Sequence, residues 1–194
     1  LPENVLAFAT RLNVTHGNYT FYSEYAYKYN DPSKVNSTSS SPYGIYKEGQ
    51  ALYLNGAYSK KGMGISLSAK YIDNMSFRSD RDATGNDLSL SYLPALTRQQ
   101  TYRLATIYPY ATQPNGEVGF QGEIFYNFKQ GSALGGKNGT YVSLNYSRAS
   151  GLDTTNLNSD LGYESSFFMP GDELYFEEVN DRQRLLHEWR PRWP

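Results

Sequence analysis

The amino-acid sequence predicts an all-β protein: an antiparallel up-and-down transmembrane β-barrel, or a fragment of a larger one, with short periplasmic turns and long outer loops. Three observations carry that expectation. Between Tyr19 and Tyr29 the aromatic residues Tyr19, Phe21, Tyr25, Tyr27 and Tyr29 recur with a period of two, against Thr20, Glu24, Ala26 and Lys28, with Tyr22 as the exception. Such alternation means a strand with two unlike faces. Rings on one face and charges on the other suit lipid outside and a wet lumen inside. Predicted strands of nine to eleven residues match the ~9–11 needed to cross hydrocarbon at a tilt. Short and long connections also alternate along the chain, as they do in outer-membrane barrels.

Residues 5–15 form the first predicted strand, His16-Gly17-Asn18 a short turn, and Tyr19–Tyr29 the returning strand. The stretch 31–49, rich in Ser, Pro and Gly, reads as a long exposed loop. Residues 51–59 are the next strand, closed by Lys60-Lys61-Gly62. In 63–73, Met63, Ile65, Leu67, Ala69 and Tyr71 then alternate with Gly64, Ser66, Ser68 and Lys70. Residues 74–86 are charged and turn-prone.

Between 87 and 113 two short alternating runs are interrupted by Pro94 and Pro109. One is expected to span, the other to lie across a rim or the mouth. Pro114-Asn115-Gly116 reads as a hairpin turn. After it Val118, Phe120, Gly122, Ile124, Tyr126 and Phe128 line one face, and Glu117, Gly119, Gln121, Glu123 and Asn127 the other, with Phe125 out of pattern. Gly-rich 130–139 is assigned to a long loop and 140–148 to a strand. Residues 150–160 read as loop, 174–179 as a further strand, and 182–194 as a basic tail with Trp189 and Trp193. The domain division is 1–149 for barrel strands and loops, and 150–194 for a loop plus further strand or strands of the same barrel. The opening Leu-Pro-Glu-Asn lacks Met and a signal-peptide pattern, and strand-like sequence follows at once, as in a processed chain or a piece of a longer one.

Composition narrows the function. The 194 residues carry a formal net charge of −1, which offers no bulk electrostatic case for nucleic acid. With no Cys, neither disulfides nor a thiolate site can be built. Mean hydropathy is −0.65, and no apolar run approaches the ~18 residues of a membrane helix. Nineteen Tyr against nine Phe favour rings with a polar tip, suited to membrane interfaces and to sugar-binding surfaces.

His16 and His187 stand far apart with no zinc-like spacing beside either. No Ser is marked as a nucleophile, and Gly131 to Gly139 lacks the Gly-Lys-Ser/Thr ending of a phosphate loop. The expectation is therefore a protein that is not an enzyme and takes no cofactor or metal. Six Asn-X-Ser/Thr sequons, at Asn13, Asn18, Asn36, Asn74, Asn138 and Asn145, fall in stretches where Asn, Ser and Thr are common enough for chance to explain much of them.

The site residues follow from the alternation. Tyr19, Phe21, Tyr25, Tyr27, Ile65, Leu67, Phe120 and Ile124 are assigned to lipid, and Glu24, Lys28, Lys70, Gln121 and Glu123 to the lumen. The lumen charges either line an aqueous pore or pair across a closed interior. Pairing is favoured because no one-sign ring is evident.

Several stretches resemble an uncharacterised outer-membrane β-barrel family of Bacteroidota: Tyr25-Ala-Tyr-Lys-Tyr-Asn-Asp-Pro-Ser33, Gly56-Ala-Tyr-Ser-Lys-Lys-Gly-Met-Gly64, Asn74-Met-Ser-Phe-Arg-Ser-Asp-Arg81, Tyr92-Leu-Pro-Ala-Leu-Thr-Arg-Gln-Gln-Thr-Tyr102 and Ile107-Tyr-Pro-Tyr-Ala-Thr-Gln-Pro114. The resemblance spans roughly residues 1 to 149. It implies the cell outer membrane as location and a barrel longer than this chain, and it transfers no activity. The expected partners are outer-membrane lipid and other envelope proteins. The leading expectation is a structural or assembly component of a cell-envelope complex. The alternatives are a passive porin or nutrient channel, and a soluble secreted glycan-binding β-protein.

Overall fold

The computed structural model describes residues 6–29, 47–78, 89–90, 95–97, 110–156 and 163–185. Among them there is no helix, and nine strands form: β1 (Leu6–His16), β2 (Tyr19–Tyr29), β3 (Gly49–Lys60), β4 (Met63–Asp73), β5 (Phe77–Arg78), β6 (Ser89–Leu90), β7 (Gly116–Phe128), β8 (Thr140–Asn156) and β9 (Tyr163–Leu185). Seven make one antiparallel up-and-down sheet in the order β1-β2-β3-β4-β7-β8-β9, and β5 pairs with β6 in a separate ribbon. The sheet is open, with β1 and β9 as its edges. Because every neighbouring pair is antiparallel, these two edges run in the same direction.

The first four strands follow the sequence pattern closely. The turn between β1 and β2 is Gly17-Asn18, that between β3 and β4 is Lys61-Gly62, and each glycine takes a positive φ (57° and 84°). Only glycine adopts that conformation without a steric penalty. Register carries the alternation across the sheet: Val14 stands opposite Phe21, Phe21 opposite Gly56, Gly56 opposite Leu67, Leu67 opposite Gly122, and Gly122 opposite Tyr146. Since the side-chain period is two, that one register places every apolar set on the same face.

Three expectations change. β4 pairs with β7 along its whole length, so neither run between 87 and 113 stands between them. Ser89–Leu90 joins the small ribbon instead, and 101–109 lie outside the described residues. With no strand added there, the direction of everything downstream inverts. Pro114-Asn115-Gly116, expected as a short turn matching the first two, lies at the opposite end. There the backbone N–H groups of Asn74 and Met75 donate to the carbonyls of Asn115 and Pro114 at 3.0 and 2.8 Å.

The loop 129–139, expected at the long-loop end, lies beside the short turns, where Asn127 N–H donates to the Gly62 carbonyl at 2.7 Å. Third, β8 runs on to Asn156 and β9 covers Tyr163–Leu185, where loop and one short strand were expected. Pro170 obscured the part of this strand before the expected 174–179. Register shifts between Ala149 and Thr154 absorb the irregularity, as bulges do. Residues 31–46, 79–86 and 186–194 of the sequence reading lie outside the described residues.

Candidate functional site

The sheet presents two faces of opposite character. On one, Leu6, Phe8, Leu12 and Val14 of β1 continue through Tyr19, Phe21, Tyr25 and Tyr27 of β2 and Leu52 and Leu54 of β3. Ile65 and Leu67 of β4, Phe120 and Ile124 of β7 and Leu144 of β8 complete it. All eight residues assigned to lipid by sequence stand on this face. Leu67 is 64 % exposed and Ile124 49 %; Tyr19, Phe21 and Phe120 are exposed too, and Tyr25, Tyr27 and Ile65 are half-buried among their neighbours. Rings pack laterally across the strands, Phe8 against Tyr27 at 5.5 Å and Tyr19 against Tyr58 at 4.8 Å between centroids. Cross-strand aromatic pairs of this kind stabilise register.

The opposite face holds all five residues assigned to the lumen, Glu24, Lys28, Lys70, Gln121 and Glu123. Its polar side chains are the buried ones: Lys28, Lys70, Glu117, Ser143, Asn145 and Ser147 are each at most 1 % exposed. A buried charge is costly unless paired and hydrogen-bonded, and here partners are supplied. Lys70 Nζ lies 2.6 Å from Glu117 Oε1 and donates to Thr112 Oγ1 at 2.8 Å. Glu117 Oε2 accepts from Tyr110 OH and from the Gln113 backbone N–H at 2.7 Å.

Lys28 donates to the Ser76 carbonyl at 3.2 Å. Arg11 and Glu24, directly opposite in register, pair at 3.1 Å, and Tyr22 donates to the same carboxylate. The residues around 74–76 and 110–113 thus reach the polar face from the β4–β7 connection and are fastened to it. Burial, and then the hydrogen bond to Glu117, pushes the Tyr110 hydroxyl well above its ordinary range.

Phe125, out of pattern in the sequence, stands on the polar face directly opposite Gly64. Its ring occupies the space a side chain at 64 would need: a Cβ there would come within 2.3 Å of it. The ring also stacks on Tyr141.

A cluster that the sequence reading did not single out sits at the loop end, around Asp73. This carboxylate occupies a position of the apolar face, after Ala69 and Tyr71, and is buried. Lys47 pairs with it, Ser165 Oγ donates to Oδ2 at 2.6 Å, and Tyr163 OH lies 2.7 Å from Oδ1. Lys47 Nζ also stands 3.9 Å over the Tyr163 ring, a cation–π arrangement. Phe167 and Phe168 lie against Tyr71 at 4.9 and 6.0 Å, so the start of β9 is folded over this end of β4. The only signal in the sequence was an Asp where the alternation called for an apolar residue.

No group of three His, Asp or Glu among the described residues could hold a metal ion, and no described helix is long and apolar enough to cross a membrane. A model of a family of unknown function, DUF6029, matches residues 1–193, and the chain belongs to that family. Comparison with curated proteins and with solved structures gives no match.

Proposed function

We propose that this member of DUF6029 forms part of the wall of an outer-membrane β-barrel and serves as a structural or assembly component of a cell-envelope complex. One observation carries the reading: burial is inverted. Among the described residues seven apolar side chains are buried, whereas eighteen large ones are exposed, and thirteen of these, on β1, β2, β4, β7 and β8, line up on one face of the sheet. Soluble monomers rarely leave an apolar surface that large uncovered. In hydrocarbon the same face is the favourable one, and the polar groups belong inside.

The dimensions agree. An 11-residue strand such as β4 rises ~34 Å, which at the usual ~40° tilt covers ~26 Å, about the height of a barrel's apolar band. Unpaired strand edges are not tolerated in lipid. Because β1 and β9 run in the same direction, antiparallel closure takes an odd number of further strands, and in this reading the seven strands are one sector of a larger barrel.

A structural role is favoured over a channel because the polar face is occupied by the protein's own chain, through Lys70, Glu117, Tyr110 and Thr112. The test is paired. The protein should require detergent for extraction and migrate differently on a gel before and after heating. Reconstituted in planar bilayers, it should give no steady single-channel conductance. Extraction in plain buffer refutes the membrane placement. Steady conductance refutes the structural role in favour of a channel.

A further inference from the structure

The outer face is graded along its height. On β3 the residues sharing that face run Leu52, Leu54, Gly56, Tyr58, Lys60, and on β7 they run Ile124, Tyr126, Phe128, followed by Lys129. Each goes from alkyl through aromatic to cationic toward the short turns. The turn and loop segments at that end, 16–19, 59–63 and 127–140, contain Lys60, Lys61, Lys129 and Lys137 and no Asp or Glu, and the end of β9 beside them, 181–185, adds Arg182 and Arg184 against Asp181. All four lysines are exposed. The carboxylates Asp73, Glu117, Asp153 and Glu164 lie toward the opposite end.

Within the face is a notch of about 460 Å³ lined by Val14, Phe21, Tyr58, Ile65 and Leu67, among others, with Gly56 at its floor. A Cβ at 56 would touch nothing within 4 Å. The notch exists because Gly56 stands between Phe21 and Leu67 in register. From Gly56 to Lys60 is four residues, ~13 Å along the strand.

The geometry points to a binding site for one anionic phospholipid: an acyl chain in the Gly56 notch, the Tyr19–Tyr58 pair at the ester level, and the phosphate held by Lys60 and Lys61. Charge complementarity selects this occupant, since the chain at this end carries six Lys and Arg against one Asp, and the turns beside the notch carry no acid. An alkyl notch continuous with an aromatic step and a lysine matches the order of groups along a phospholipid. Lysines near a lipid surface each favour anionic headgroups, and tyrosines settle at the interface. The inference rests on the membrane placement proposed above and goes beyond it by naming a lipid class and a site.

The test uses nanodiscs containing equal amounts of palmitoyl-oleoyl phosphatidylglycerol and phosphatidylcholine, with retained lipid counted by native mass spectrometry. The unaltered protein should retain phosphatidylglycerol preferentially. Lys60→Gln with Lys61→Gln should cut that preference by on the order of tenfold or more. Gly56→Leu, which fills open space and keeps both lysines, should lower retention of either lipid without altering heat-modifiable mobility. Retention of the two lipids in their bulk ratio, or an unchanged preference in the double lysine variant, overturns the headgroup site. Unchanged retention in Gly56→Leu overturns the acyl notch. Failure of the unaltered protein to enter the bilayer overturns the membrane placement itself, so the two failures are told apart.

Discussion

Replacing Leu67 by Arg separates a lipid-facing sheet from a water-facing one. Leu67 sits near the middle of β4, is 64 % exposed, and lies on the apolar face. In water, a substitution at so open a position changes stability by no more than about ±0.5 kcal/mol. In lipid, an arginine at mid-depth costs ~2–4 kcal/mol, falling to ~0–1 near the interface. Met63, at the turn end of the same strand, is four residues away, ~13 Å along the strand and ~10 Å along the normal at a ~40° tilt.

A depth series therefore follows: Leu67→Arg should cost ~2–4 kcal/mol, Met63→Arg ~0–1, and Ile65→Arg an intermediate amount. Leu134→Arg, in the exposed 129–139 loop, serves as the control without effect. The assay is reversible guanidinium unfolding from lipid vesicles, followed by gel mobility and fluorescence. If all three strand variants fall within the range of the control, with no dependence on depth, the argument from inverted burial fails.

Three further outcomes are expected. Glu117→Leu leaves the fully buried Lys70 ammonium without its carboxylate and should cost ~3–5 kcal/mol in denaturant unfolding, part of it recovered in the double variant with Lys70→Met, in which Tyr110 OH and the Gln113 N–H still lack their acceptor. Gly64→Ala should cost ~1–3 kcal/mol by forcing the Phe125 ring from its place; coupling in a double-mutant cycle with Phe125→Leu checks the contact, and strict additivity denies it. Tyr110 has a raised pKa in the folded protein, so its contribution is complete below the unfolded value of ~10 and declines as pH rises above it. Absorbance at the tyrosinate band should show a late-titrating tyrosine that Tyr110→Phe removes, and stability should fall less steeply above that pH in the variant.

Much of the sheet was legible because strand alternation is local information. Each of Tyr19, Phe21, Tyr25 and Tyr27 declares its face relative to its immediate neighbours, and the run from Met63 to Tyr71 does so without a break. The two glycine turns were legible because a positive φ narrows the residue choice. The site was readable only in part. Lys70 and Glu24 could be placed on the polar face, but not their partners, since Tyr110 and Thr112 reach Lys70 and its Glu117 partner from a segment with no repeating pattern. Asp73 broke the alternation, yet nothing local indicated that Tyr163 and Ser165, some ninety positions later, would meet it. Of β9 only 174–179 was legible; Pro170, which disfavours a strand locally, hid the part before it and is overridden by pairing with β8.

From the sequence by itself came the two faces and their chemistry, because successive side chains of a strand point to opposite sides whatever else the chain does. Only the tertiary structure decided that β4 meets β7 directly, and with it which end each later loop occupies. That choice is made by backbone hydrogen bonds and side-chain pairs between residues as distant as Ile65 and Ile124, a competition among distant partners that no stretch of neighbouring residues encodes.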